Sequence, residues 1–199
     1  LPTSGWGWGW AGEPDRGFDK RQPGGWLYNI LPYMEQSALH DTGMDAVPGT
    51  PRQAVTIRMS TPLAAYYCPS RRAAATYPVL PAAQVLYNAS PQPTMCGKTD
   101  YAGSGGDATH HMTFYKGPWP LATGDAMTET QWGAQNNSRT SGIFHIRSMT
   151  KMADLVDGAS CTYLAGEKHL DPDHYYDGIL LDDDQGWDNS NGWDVVRYS

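Results

Sequence analysis

The stretch from Gly5 to Trp10, "GWGWGW", restricts the fold more than any other part of this 199-residue chain. In an extended backbone, period two places Trp6, Trp8 and Trp10 on one face and the glycines on the other. One face is then bulky and the other bare, so a neighbouring backbone can lie close against it. An exposed row of indoles would stack on sugar rings or on a partner, whereas a buried row would be core. Packing is the preferred reading. With 3 Phe against 8 Trp and 12 Tyr, amphipathic aromatics have to fill the interior.

The wider composition narrows the class. The chain has 22 Gly and 15 Pro but only 18% charged residues, which suits a loop-rich extracellular fold better than a helical cytosolic enzyme. A net charge of −7 with scattered basic residues offers no footprint for nucleic acid. The three cysteines form no CxxC pair, which excludes a zinc ribbon or a thioredoxin motif. Cys68 and Cys96 bracket a Pro/Ala-rich excursion and are expected to form a disulfide, leaving Cys161 as a buried free thiol on a strand. No long apolar run is present. A start at Leu1 rather than Met implies an upstream segment that was processed or left out.

Along the chain, the tryptophan strand leads into a Gly/Pro-rich loop. Trp26, Leu27, Ile30, Leu31, Met34 and Leu39 then lie on one helical face, with Pro32 as a kink or fresh start and Gly43 as a stop. Thr50 followed by Pro51 reads as the N-cap and first position of a further helix. "TPLAAYYCP" reads as a short strand ending at Pro69, residues 73–95 as an extended excursion, and "DYAGSGGD" as a turn-rich link. Residues 108–141 form a second long insertion. "SGIFHIRS" alternates like a strand, and "CTYLAGEK" reads as its hairpin-like partner. The expected fold is α+β, a small antiparallel sheet with long loop insertions, formed by residues 1–199 as one domain.

Most catalytic motifs fail on inspection. "HLDPDH", His169 to His174, has Asp171 where a metallo-hydrolase places a second histidine, and reads better as a turn on Asp171-Pro172. "GASCTYLAGE" lacks the glycine at Thr162 that a nucleophile elbow needs, and in "GSGGD" Ala108 stands where a phosphate loop places its last glycine. The acidic run "DDDQGWDNSNGWD" is richer. Asp182, Asp183, Asp184, Asp188 and Asp194 supply hard oxygens around flexible glycines, which makes calcium the candidate cation, against the plainer reading of a solvated acidic loop. Trp119, Trp132, Trp187 and Trp193 are the candidates for stacking a sugar.

Four stretches together resemble one family: "LPTSGWGWGWAGEPDRGFDKRQPGGWLYNILPYMEQSALH", "TPLAAYYCPSRR", "DYAGSGGD" and "LVDGASCTYLAGEKHLDPDHY". They are similar, in the same order, to the "ILPYLEQ", "CPSRR", "DYAxNxGD" and "TDGTSNTYLxGEKYLNPDHY" motifs of the DUF1559 family. This is a large planctomycete family of prepilin-like proteins of unknown function, also filed as solute-binding-protein-like (SBP_bac_10). The chain departs from the pattern at "VDGASC", where Cys161 stands in place of asparagine. The resemblance implies a pilin- or pseudopilin-like globular head. An N-terminal hydrophobic helix and a C-terminal element would lie outside this chain, and that helix would be its only link to a membrane. It implies a non-enzymatic, extracytoplasmic domain acting in surface or filament assembly, with other pilin-like subunits or surface proteins as partners. The alternative is a glycan- or solute-binding module that uses exposed Trp and Tyr, with polysaccharide as ligand and calcium as cofactor.

Overall fold

The computed structural model describes residues 1–80, 85–107, 115–136 and 141–198. Parts of both predicted insertions (81–84, 108–114 and 137–140), Ala108 of the glycine-rich motif among them, lie outside the described residues. Within the described residues the elements are short. In chain order they are α1 (Trp26–Ile30), α2 (Ser37–His40), α3 (Gln53–Met59), β1 (Thr76–Pro78), β2 (Met95–Gly97), β3 (Tyr101–Gly106), α4 (Leu121–Ala126), α5 (Glu129–Asn136), β4 (Ala165–Glu167) and β5 (Val196–Tyr198). The α+β expectation holds. β1 and β2 form an antiparallel pair, while β4-β3-β5 form a second sheet. That second sheet is mixed rather than antiparallel, because β5 runs parallel to β3.

The tryptophan stretch is not a strand. Gly5 (φ +80°) and Gly7 (φ +132°) adopt conformations that side-chain-bearing residues rarely take, and these break the period of two. The indoles therefore part company. Trp6 and Trp10 are buried with Leu121, Trp132 and Ile146, their rings edge to face at 6.2 Å. Trp8 is half-buried, with the Lys116 ammonium 5.0 Å from its ring centre. The packing reading survives in a different geometry. A Cβ on Gly7 would lie 2.5 Å from the Tyr115 carbonyl oxygen, the close backbone approach that the bare glycines permit.

Glycine also explains why "DYAGSGGD" is not a link. It forms β3, the central strand, because Phe144 packs directly on Gly103 and Tyr198 on Gly105, where a Cβ would lie 2.3 Å from either ring. "SGIFHIRS" is correspondingly not a strand. It runs beside β3 through Gly142 N–H to Gly105 O and Phe144 N–H to Ser104 O, and buries Ile143, Phe144 and Ile146. "CTYLAGEK" does yield β4, but β4 pairs with β3.

The helical reading of 26–40 holds, with Pro32 inside a 3-10 turn (Leu31–Met34) that separates α1 from α2. α3 begins at Gln53, later than Thr50-Pro51 predicted. Arg52 stays extended, bridging to Ala89 through Arg52 N–H to Asn88 O and Ser90 N–H to Arg52 O. Thr50 instead donates to Val47 O. Residues 64–66 form a 3-10 turn rather than a strand.

The main core gathers Trp26, Leu27, Tyr28, Leu31, Tyr66, Tyr67, Phe144, Trp187 and Val196. Its polar tips all end on backbone carbonyls. Trp26 Nε1 donates to Val195 O (2.7 Å), Tyr66 Oη to Leu27 O (2.6 Å) and Trp187 Nε1 to Thr61 O (2.9 Å). Such pairing lets indoles and phenols do work that Phe does elsewhere, and it ties loops that no regular ladder holds.

The cysteines differ from expectation at all three positions. Cys68 and Cys96 are separate buried thiols and Cys161 is exposed. Cys68 Sγ lies 3.1 Å from Ser70 Oγ, whereas Cys96, on β2, packs with Val55 and Met59, and burial pushes its thiol up to about 12. The predicted Cys68–Cys96 disulfide is therefore replaced by packing of each thiol in a different environment.

Candidate functional site

The acidic run is the densest group of candidate ligands, and the fold distributes it among cations of the chain itself. Asp183 accepts from Arg72 at 2.6 and 3.0 Å and from Lys168 Nζ at 3.1 Å. Asp188 accepts from Arg58 Nε at 2.6 Å and from the Gly12 N–H at 3.1 Å. Asp182 pairs with Arg197 at 2.9 Å. Asp184 and Asp194 are buried. Lys98 Nζ reaches Asp183 O at 2.6 Å, and Lys168 Nζ reaches Asp182 O at 2.7 Å and Asp194 O at 3.1 Å. Calcium needs six to eight oxygens converging at about 2.3–2.6 Å. Asp182, Asp183 and Asp188 each turn to a cation of the chain and Asp194 accepts from the Gln185 N–H at 2.9 Å. Among the described residues no three His, Cys, Asp or Glu side chains form a group that could hold a metal ion. The residues do not fit calcium. Nor is the run a solvated loop, since Asp183, Asp184, Asp188 and Asp194 are all buried.

What the run does instead is lock the C-terminal loop to the rest of the chain. Arg72 bridges Asp183 and the buried Asp100 (2.8 Å). Burial alone would push the Asp183 carboxyl up, but Lys168, Arg72 and Lys98 outweigh it and hold the group below the usual carboxylate range. Asp184 goes the other way. Burial, and then the neighbouring Asp194, raise it to about 7 against the partial opposition of Lys98. Asp194 is raised as well, by burial first, with Lys168 and Lys98 opposing.

A raised carboxyl has a definite sign. Its contribution to stability is full below the unfolded value near 3.8 and is lost as pH rises through about 7. Asp184→Asn, which keeps the shape without the charge, is expected to melt like the parent below pH 4. Its advantage should grow from pH 4 to pH 7 and stay level above. Allowing for solvent screening, the gain at pH 8 is about 1–2 kcal/mol. Thermal melts across that range check it; equal melting temperatures at pH 8 would contradict it.

The tryptophan candidates separate in the same way. Trp132 and Trp187 are buried and unavailable to a ligand: Trp132 packs on Trp6 beneath Arg147, and Trp187 lies in the main core. Trp193 is half-buried. Trp119 is 48% exposed and stacks on Tyr87 at 5.1 Å. "HLDPDH" is the expected turn. Asp171 accepts from the Asp173 N–H at the start of a 3-10 turn (Pro172–His174), and His174 pairs with Asp177 at 2.6 Å.

One surface was not anticipated. Residues 151–167 contain no buried residue, yet they carry Met152 (60% exposed), Val156 (89%), Tyr163 (88%) and Leu164. The run is shaped by local contacts: Lys151 N–H to Asp154 Oδ2 at 2.7 Å, Cys161 N–H to Gly158 O at 3.0 Å, and Thr162 Oγ1 to Gly158 O at 3.1 Å. It ends in β4, and a cleft of about 270 Å³ beside it is lined by Ser104, Tyr163, Glu167, Arg197 and Tyr198 among others. The sequence signal was present in "MADLVDGAS", whose apolar residues sit among Asp and Gly with no helical or strand period to bury them.

Comparison with known protein families identifies a match. The model of a family described as a protein of unknown function, DUF1559 (SBP_bac_10), matches residues 5–196. No curated protein and no solved structure matches.

Proposed function

Since this chain belongs to the DUF1559 family, whose description assigns no activity, we propose that it is a non-enzymatic, pilin-like domain working outside the cytoplasm in surface or filament assembly. The observation that carries the reading is the run 151–167, which presents Met152, Val156, Tyr163 and Leu164 to solvent beside a sheet edge. Apolar side chains grouped on one exposed segment are a mark of a protein contact. The richest polar clusters, by contrast, are spent inside the fold as ion pairs. Other pilin-like subunits or surface proteins are the partners this surface suits. Among the described residues no helix is long and apolar enough to cross a membrane.

A glycan-binding reading keeps one support, the exposed Trp119 stacked on Tyr87 next to half-buried Trp8 and Lys116. The two readings part under mutation in the native host. Val156→Glu is expected to reduce the share of the protein in the assembled surface fraction about tenfold, because a charge cannot be desolvated at such a contact. Trp119→Ala should leave that share unchanged. Loss of surface retention in Trp119→Ala with Val156→Glu intact would instead favour polysaccharide as the partner.

A further inference from the structure

The edge of the β4-β3-β5 sheet carries backbone groups that the fold leaves open. Ser104 N–H donates to Leu164 O and Lys168 N–H to Asp100 O, so even-numbered residues of the segment turn their backbone towards β3. Gly166 follows in register with Ala102. By the alternation of an antiparallel ladder, the N–H and C=O groups of Tyr163, Ala165 and Glu167 point away from the sheet. Among the described residues no bond to those groups is found, and all three residues are exposed. No proline lies in β4, and the adjoining Lys168 is buried against Asp183, so neither residue type guards this edge, and an open edge is a template for another strand.

We infer that β4 pairs antiparallel with β4 of a second copy of this chain, joining two three-stranded sheets into one. The sequence of the edge is complementary to itself in that arrangement. Centring the two-fold axis on Ala165 sets Ala165 against Ala165 of the second copy, Tyr163 against Glu167, and Leu164 against Gly166. Glu167 then faces a phenol hydroxyl that can donate to it, and the two Glu167 carboxylates stay apart. Leu164 lies over a glycine that has no side chain to resist it. Arg71, 3.8 Å from Glu167, adds a cation beside the pair. About six backbone hydrogen bonds would form across the axis. So short an interface works at high local concentration, the condition of subunits gathered at a surface. This pairing rests on the assembly reading above and specifies one contact of it.

Sedimentation velocity on the purified chain, from about 10 μM to about 1 mM, covers the range expected of an interface this small. The expected result is a monomer that becomes a dimer with rising concentration. In Ala165→Pro the dimer should be lost. That substitution removes only an outward N–H and leaves every bond to β3, so the melting temperature should stay close to that of the parent. Amide exchange supplies a second reading that needs no variant: the Ala165 and Glu167 amides should slow several-fold as concentration rises, and Gly166 should not change. A monomer at every concentration would overturn the pairing while leaving assembly with other subunits to the surface-fraction experiment. A dimer that survives in folded Ala165→Pro would overturn it as well.

Discussion

Arg58→Ala is expected to destabilise the protein by about 3–5 kcal/mol, a large part of the stability of a typical domain. Arg58 is fully buried and donates to Asp188 (2.6 Å), Gly12 O (2.6 Å) and Thr42 O (3.0 Å) while lying 4.7 Å from the Tyr28 ring centre. Burial pushes the Asp188 carboxyl up even with Arg58 present. Without the guanidinium that carboxylate is left unpaired in the interior, together with two orphaned carbonyls. Urea denaturation measures the loss. Arg58→Met combined with Asp188→Leu, which removes both charges, should lose less than Arg58→Ala alone. A loss under 1 kcal/mol for Arg58→Ala would mean that the pair is not structural.

Trp10→Ala should cost a similar amount, about 3–5 kcal/mol, through the cavity it leaves. Trp10 is wholly buried, meets Trp6 edge to face, lies against Tyr87 and Trp119, and donates to Pro118 O at 3.0 Å. Trp8, the central tryptophan of the stretch, is half-buried, so Trp8→Ala should lose clearly less. Chemical denaturation of the two variants side by side decides it; equal losses would contradict the geometry seen at Gly5 and Gly7.

The difference between Trp8 and its neighbours shows how far the sequence could be read. Alternation of Trp with Gly announced packing correctly, because a bare backbone beside a bulky one has few other uses. It did not announce the backbone path, since glycine at positive φ is as compatible with the pattern as a flat strand. The same permissiveness hid β3, where the glycines serve to admit Phe144 and Tyr198 and do not turn the chain. Pro32 was legible because proline limits the backbone in one direction only, and the Asp171-Pro172 turn because its cap is local. The acidic run was misread for the opposite reason. Its partners, Arg58, Arg72, Lys98 and Lys168, are scattered along the chain, and no local spacing reveals which cation a carboxylate will meet. The exposed run 151–167 shows in the sequence only as a lack of period, which is a weak signal by itself.

On the proposed function, the protein acts through the 151–167 surface, while its buried tryptophans and acidic loop serve the fold. Hydrogen–deuterium exchange of the assembled surface form against the isolated chain tests it most directly. The predicted result is protection gained across 151–167, including β4, with no change around Trp119 or the loop 182–194. Protection centred on Trp119, Trp8 and Tyr87, with 151–167 exchanging as freely as in the isolated chain, would contradict it.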